Sequence, residues 1–241
     1  MATTAGKLET VYQEALIIYV VSMARAVERN VNKALDALAC RDYSVATALA
    51  SDIFTLDPRI NEMEIVIDEY AVRLLRAGQL SDDEVRLIVA TLKITNDLER
   101  MGDLAVNIGE RVISLAQMAP TKPPTDLEPM AGAVRAMVSK SLGALLYRNV
   151  VLATEVLESD DVVDRYRDRI FERLLADMTE DPVQVAADFQ FVLATRYMER
   201  IADHATNIAE DTIFWLRGLD VRHGRGRATA AKSPSVVTEN S

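Results

Sequence analysis

Three features of this chain predict an all-α fold of two tandem three-helix bundles. It holds nine glycines and seven prolines in 241 residues, with long stretches that contain neither. Aromatic residues are only 5% of a chain that is 49% hydrophobic, whereas sandwiches and barrels need frequent turn residues. The third feature is a repeat. TNDLERMGDLAVNIGE, from Thr95 to Glu110, and TRYMERIADHATNIAE, from Thr195 to Glu210, match at eight of sixteen positions one hundred residues apart.

Taken in order, the first helix is expected from about Leu8 to Ala39. Val20, Met23, Val27, Val31 and Leu35 recur there at three- and four-residue steps, which makes one apolar face. Cys40 to Tyr43 reads as a tight connection. A second helix follows from about Ser44 to Arg76, with a kink or a restart at Asp57-Pro58 and Asp57 as N-cap, because proline removes a backbone donor. Gly78 ends it. Ser81 to Glu84 is a capping box that opens a third helix, continuing to about Met118. Ala119 to Pro129 holds four of the seven prolines and is the linker. Helices are then expected over about Met130 to Tyr147, Val150 to Met178 and Pro182 to Arg217, the last with Asp181 as N-cap and Pro182 at the first helical position. RDYSVAT (Arg41 to Thr47) is echoed by RNVVLAT (Arg148 to Thr154) at an offset of 107, so loop lengths differ between the halves. The domains are therefore 8–118, a linker at 119–129, and 130–217. Residues 218–241 change to Gly, Arg, Ser, Thr and Ala and are predicted to be a disordered tail.

The formal charge of −10 argues against nucleic acid as a partner, since phosphate binding needs a basic footprint. ALIIYVVSMA, from Ala15 to Ala24, is about half the length a bilayer requires, so no membrane insertion is expected. A lone cysteine, Cys40, fits a reducing cytoplasm. With only two histidines, His204 and His223, there is little material for histidine-based catalysis. A carboxylate-bridged di-iron enzyme would need Glu-x-x-His pairs inside the bundle, and the repeat contains none.

At 100° per residue, Glu110, Asp103 and Asn107 fall at about 20°, 40° and 80° from Glu99, opposite the apolar residues Leu98, Met101, Leu104, Ala105, Ile108 and Val112. Glu199, Asp203, Asn207 and Glu210 repeat the phase against Met198, Ile201, Ala205 and Ile208, which points both stripes away from the core. Such a stripe is also what any amphipathic helix shows to water. Two observations favour a cation. Like charges four residues apart repel, and the acidic motif is the best preserved part of the duplication. A second acidic set precedes each copy by one helix: Asp57, Asn61 and Glu64 in the first half, and Asp160, Asp164 and Asp168 in the second. Oxygen ligands of this kind suit Mg²⁺, Mn²⁺ or iron, and the absence of His and Cys disfavours structural zinc.

The twice-written pattern E-R-(I/M)-(G/A)-D-x-A-x-N-I-(A/G)-E, together with Asp57, Ile60, Asn61 and Glu64 matching D-x-x-I-D-x-x-E, resembles the PhoU family over roughly residues 8 to 218. The resemblance implies two three-helix bundles in pseudo-twofold relation. It also implies surface metal clusters, iron in some members and Mg²⁺ or Mn²⁺ in others. One site would use Asp57, Asn61, Glu64, Glu99, Asp103 and Asn107, and the other Asp160, Asp164, Glu199, Asp203 and Asn207. The implied role is a non-enzymatic, cytoplasmic, homodimeric negative regulator of the phosphate-starvation response, linking the ATPase of a phosphate-specific transporter to a sensor histidine kinase. A metal-independent regulator of another phosphate or ion transporter fits the same features. The chain departs from the family pattern in three places. Arg167 stands where the pattern has a second-helix Glu, about four extra residues lie between Asp42 and Asp57, and the usual N-terminal opening is missing.

Overall fold

A computed structural model describes residues 4–40, 42–78 and 80–222. The described residues form seven α-helices: α1 (Thr4–Ala39), α2 (Tyr43–Ala77), α3 (Asp82–Ala116), α4 (Leu127–Tyr147), α5 (Val150–Leu157), α6 (Asp160–Glu180) and α7 (Val185–Arg217). Helices α1, α2 and α3 pack on one another, as do α4, the α5–α6 pair and α7. The most extensive helix contact joins α3 to α7 along the seam between the repeats. Each repeat thus presents its copy of the motif on a helix that also holds the molecule together.

The apolar stripe of α1 is fully used: Val20, Met23, Val27, Val31 and Leu35 are all buried. So are Leu98, Met101, Leu104, Ala105, Ile108 and Val112 on α3, and Met198, Ile201, Ala205 and Ile208 on α7. Local chemistry sets both ends of α2 and the start of α3. Asp42 accepts hydrogen bonds from the backbone of Ser44 and Val45 to start α2. Gly78 closes that helix at φ 82°, a left-handed conformation that glycine adopts without a Cβ penalty. Ser81 and Glu84 form the reciprocal capping box of α3.

Helix α2 runs unbroken through Pro58, so Asp57 is neither an N-cap nor the start of a new helix. The break falls in the second half instead, where Glu158 and Ser159 separate α5 from α6 and divide the single helix expected over Val150 to Met178. The offset between halves drops there from 107 at Asp42/Asn149 to 103 at Asp57/Asp160. Four residues are slightly more than one turn, so deleting them from a continuous helix rotates everything beyond by about 40°. A break absorbs that rotation and keeps the carboxylates of α6 facing α7.

Helix α7 begins at Val185, not at Pro182. Asp181 caps a separate preceding turn by accepting from the Val183 backbone at 3.1 Å. Helix α4 begins at Leu127 and takes Pro129 into its first turn, where a missing N–H costs nothing. The linker is stitched to α2 by the Thr121 backbone N–H, which donates to the Tyr43 hydroxyl at 3.3 Å. Beyond α7, Gly218 turns the chain at φ 65° and Val221 is buried. The remainder of the expected tail, 223–241, lies outside the described residues.

Candidate functional site

The first carboxylate cluster forms between α2 and α3. Asp57, Asn61 and Glu64 follow at four- and three-residue steps on one face of α2, against Glu99 and Asp103 on α3. Helices α2 and α3 lie close here: a Cβ at Gly102 would meet Ile60 at 3.5 Å and Asp57 Oδ1 at 3.8 Å, both ordinary contacts. Asn61 Nδ2 points to Asp57 Oδ2 at 3.5 Å. Asp57 Oδ1 and Asn61 Oδ1 are buried and accept no hydrogen bond.

Burial raises the carboxyl pKa of Asp57, Glu64 and Glu99, and neighbouring negative charge adds to it. For Asp57 and Glu99 the strongest such neighbour is Asp103, and for Glu64 it is Asp68. The guanidinium of Arg100 offers only loose compensation, at 3.4 Å from Glu99 and 3.6 Å from Asp103. Asn107 lies one turn further along α3 and is half-buried.

The second cluster brings Asp160 and Asp164 of α6 to Glu199 and Asp203 of α7, but around a cation. Arg167 Nη1 lies 2.8 Å from Asp164 Oδ1 and 2.7 Å from Glu199 Oε1. The same guanidinium reaches Asp168 Oδ1 through Nε at 3.0 Å and Nη2 at 2.9 Å. Asp203 is pushed up to about 6, first by burial and then by the charges of Glu199, Asp160 and Asp164, with His204 acting in the opposite sense. Thr206 donates to Asp160 Oδ1 at 3.3 Å.

Asn207, expected as a ligand, turns away from this cluster. Its Nδ2 donates to Asp97 Oδ1 of α3 at 3.1 Å, and the same oxygen is 2.7 Å from His204 Nδ1. Asn207 therefore belongs to the α3–α7 seam. Asp97 carries no counterpart in the second copy, where Tyr197 stands. The signal for it was phase: Asp97 and His204 fall at about 160° and 140° from Glu99 and Glu199, on the apolar arc of their helices. A charged residue there needs a partner inside the fold.

Among the described residues, no three His, Cys, Asp or Glu side chains are drawn together as a finished metal shell. The first cluster still fits a hard cation in chemistry. Its donors are all oxygen, two of them are buried with no hydrogen bond, and its carboxylates repel one another. The second does not fit, because a guanidinium already sits among the oxygens a metal would use.

Fold and site together define a class: tandem helical repeats that each carry an acidic surface motif on the helix at their common seam. Comparison with known proteins gives the family. The profile described as PhoU domain matches residues 20–112 and again 127–212, and the chain belongs to this family. It is 35% identical over 223 residues to a phosphate-specific transport system accessory protein PhoU homolog of Pseudomonas putida, covering 92% of this chain and 86% of that protein. The homolog from Aquifex aeolicus is 34% identical, covering 85% of this chain and 90% of its own. Among solved structures, PhoU from Pseudomonas aeruginosa superposes with a TM-score of 0.82 at 33% identity, covering 87% of this chain and 99% of that one. The phosphate transport system regulatory protein PhoU from Streptococcus pneumoniae shares the fold, with a TM-score of 0.78 at 23% identity over 88% and 99% of the two chains.

Proposed function

We propose that this chain is the cytoplasmic accessory regulator of a phosphate-specific transporter, acting by docking and not by catalysis. In this reading it couples the transporter ATPase to a sensor histidine kinase and keeps phosphate-starvation genes off when phosphate is plentiful. The observation that carries it is the match of both repeats, nearly end to end, to relatives named as accessory proteins of that transport system. Two features support docking. Val85 and Val185, and likewise Val89 and Phe189, are exposed apolar pairs one hundred residues apart, so each repeat offers an equivalent contact face. In addition, no helix among the described residues is long and apolar enough to cross a membrane, so contact with a transporter would be made from its surface. A homodimer would double these faces.

In the same reading, Asp57, Asn61, Glu64, Glu99 and Asp103 hold a divalent or trivalent cation, Mg²⁺, Mn²⁺ or iron. The ion would supply positive charge that lets α2 and α3 approach without repulsion. The residues themselves orient the oxygens from the facing sides of α2 and α3. The absence of a finished shell among the described residues favours, as a second reading, regulation by protein contact alone. Deletion of the gene tests the regulatory role. Alkaline phosphatase is expected to become constitutive in high phosphate, and unchanged repression would overturn the proposal. Elemental analysis of untagged protein, purified without chelator, separates the metal-bound from the metal-free version.

A further inference from the structure

Glu64 and Arg167 occupy the same place in the two repeats, seven residues after Asp57 and Asp160 respectively. The charge at that place is therefore reversed. In the first repeat Glu64 adds a carboxylate to Asp57, Glu99 and Asp103, and the nearest compensating cation, Arg100, is loosely placed with a half-exposed side chain. In the second repeat the guanidinium is at ion-contact distance from Asp164, Asp168 and Glu199, and so already joins α6 to α7. Guanidinium is planar, always protonated and attached to the chain, so it satisfies several carboxylate oxygens at once and cannot be exchanged. A metal ion entering here would have to expel that group and then tolerate it as a neighbouring positive charge.

We propose that Arg167 is a resident cation that closes the second cluster to metal, so that any metal response of this chain belongs to the first cluster alone. The α6–α7 contact is then permanently stapled, whereas the α2–α3 contact tightens or loosens with metal supply. Two repeats of one fold thereby respond differently to the same ion. The exclusion at the second cluster stands by itself, and only the response of the first rests on the metal-binding version of the proposed function.

The test is equilibrium dialysis of the full-length, untagged protein against Mn²⁺, read by elemental analysis. The double variant E199Q/D203N is expected to bind as much Mn²⁺ as the unsubstituted protein. Arg167→Glu is expected to gain about one further equivalent, lost again in R167E/E199Q/D203N, because it restores the all-oxygen set. Should Arg167→Glu not fold, Arg167→Ala removes the cation without adding charge and is expected to gain Mn²⁺-dependent thermal stabilisation that the unsubstituted second cluster lacks. A loss of metal in E199Q/D203N, or no gain in the folded Arg167 variants, would overturn the proposal. If the unsubstituted protein binds no Mn²⁺, the first-cluster reading falls, and a gain on replacing Arg167 still upholds the exclusion.

Discussion

His204 Nδ1 lies 2.7 Å from Asp97 Oδ1, tying α7 of the second repeat to α3 of the first. Asn207 adds a second bond to the same oxygen, and both members of the pair are largely buried at the seam. Asp97→Ala would strand the largely buried His204 donor, whereas the exposed Asn207 amide can turn to water. Hydrogen bonds to a charged group contribute about 1.5–3 kcal/mol, so urea denaturation should show a loss of about 2 kcal/mol. His204→Ala in the same background should cost less than it does alone, since their bond is already gone.

Arg167 should matter for stability as well as for metal exclusion. Arg167→Met leaves Asp164 and Glu199 facing each other without compensation. The side chain is about one-third exposed, which tempers the effect, and a loss of about 1–2 kcal/mol is expected. Adding Glu199→Gln should recover part of it. Arg167→Lys should restore only a fraction, because a point charge cannot serve three carboxylates at once.

Gly102 and Gly109 on α3 stand where the second repeat has Ala202 and Ala209. A Cβ at Gly102 meets Ile60 at ordinary contact, 3.5 Å, whereas one at Gly109 meets the Phe54 ring at 3.1 Å. Alanine gains up to about 1 kcal/mol over glycine within a helix. Gly102→Ala is expected to raise the melting temperature, and Gly109→Ala to raise it less or lower it, because Phe54 must give way.

Helix identity and facing were legible because burial enforces period. The stripe of α1 and the two motif helices needed no more than apolar spacing to place their buried residues. Breaks were harder to read. Pro58 pointed to a kink or a restart, but packing of α2 against α1 and α3 carries the helix past one missing donor. The actual break, at Glu158–Ser159, follows from a four-residue length difference that has meaning only once both repeats must present α6 and α2 in the same phase. At the site, spacing placed on facing sides of α2 and α3, and of α6 and α7, the carboxylates that the structure brings near one another. It could not show that Asn207 finds a better partner across the seam, because that partner, Asp97, lies in the other repeat.

Asp188 gives a pH dependence. It is buried in the first turn of α7, with Oδ2 accepting no hydrogen bond, beside a cavity it shares with Lys122, Arg173 and Asp177. Burial, then the charges of Asp177 and Asp181, raises its pKa above the ordinary 3.8. A raised folded value means that its favourable contribution is complete below 3.8 and is lost as pH climbs through the folded pKa. At pH 7 the ionised side chain is a liability. Asp188→Asn should therefore melt higher than the unsubstituted protein at pH 7, with the difference closing as pH falls towards 3.8. Calorimetry across that range checks it, and a constant difference would point to packing instead of charge.

The last expectation concerns the sign of a single double substitution, Glu99→Gln with Asp103→Asn. In chelated buffer these two carboxylates crowd Asp57 and Glu64, and Arg100 compensates only loosely, so removing their charge should raise the melting temperature. In Mn²⁺ the order should reverse. A ligand at one hundred times its Kd stabilises the folded state by about 2.7 kcal/mol, and the variant, having lost two ligands, gains little of this. The two proteins should cross in stability as Mn²⁺ is added. Repulsion alone raises the variant under both conditions, and a purely structural role for the two acids lowers it under both. Only a cation held between α2 and α3 makes the curves cross.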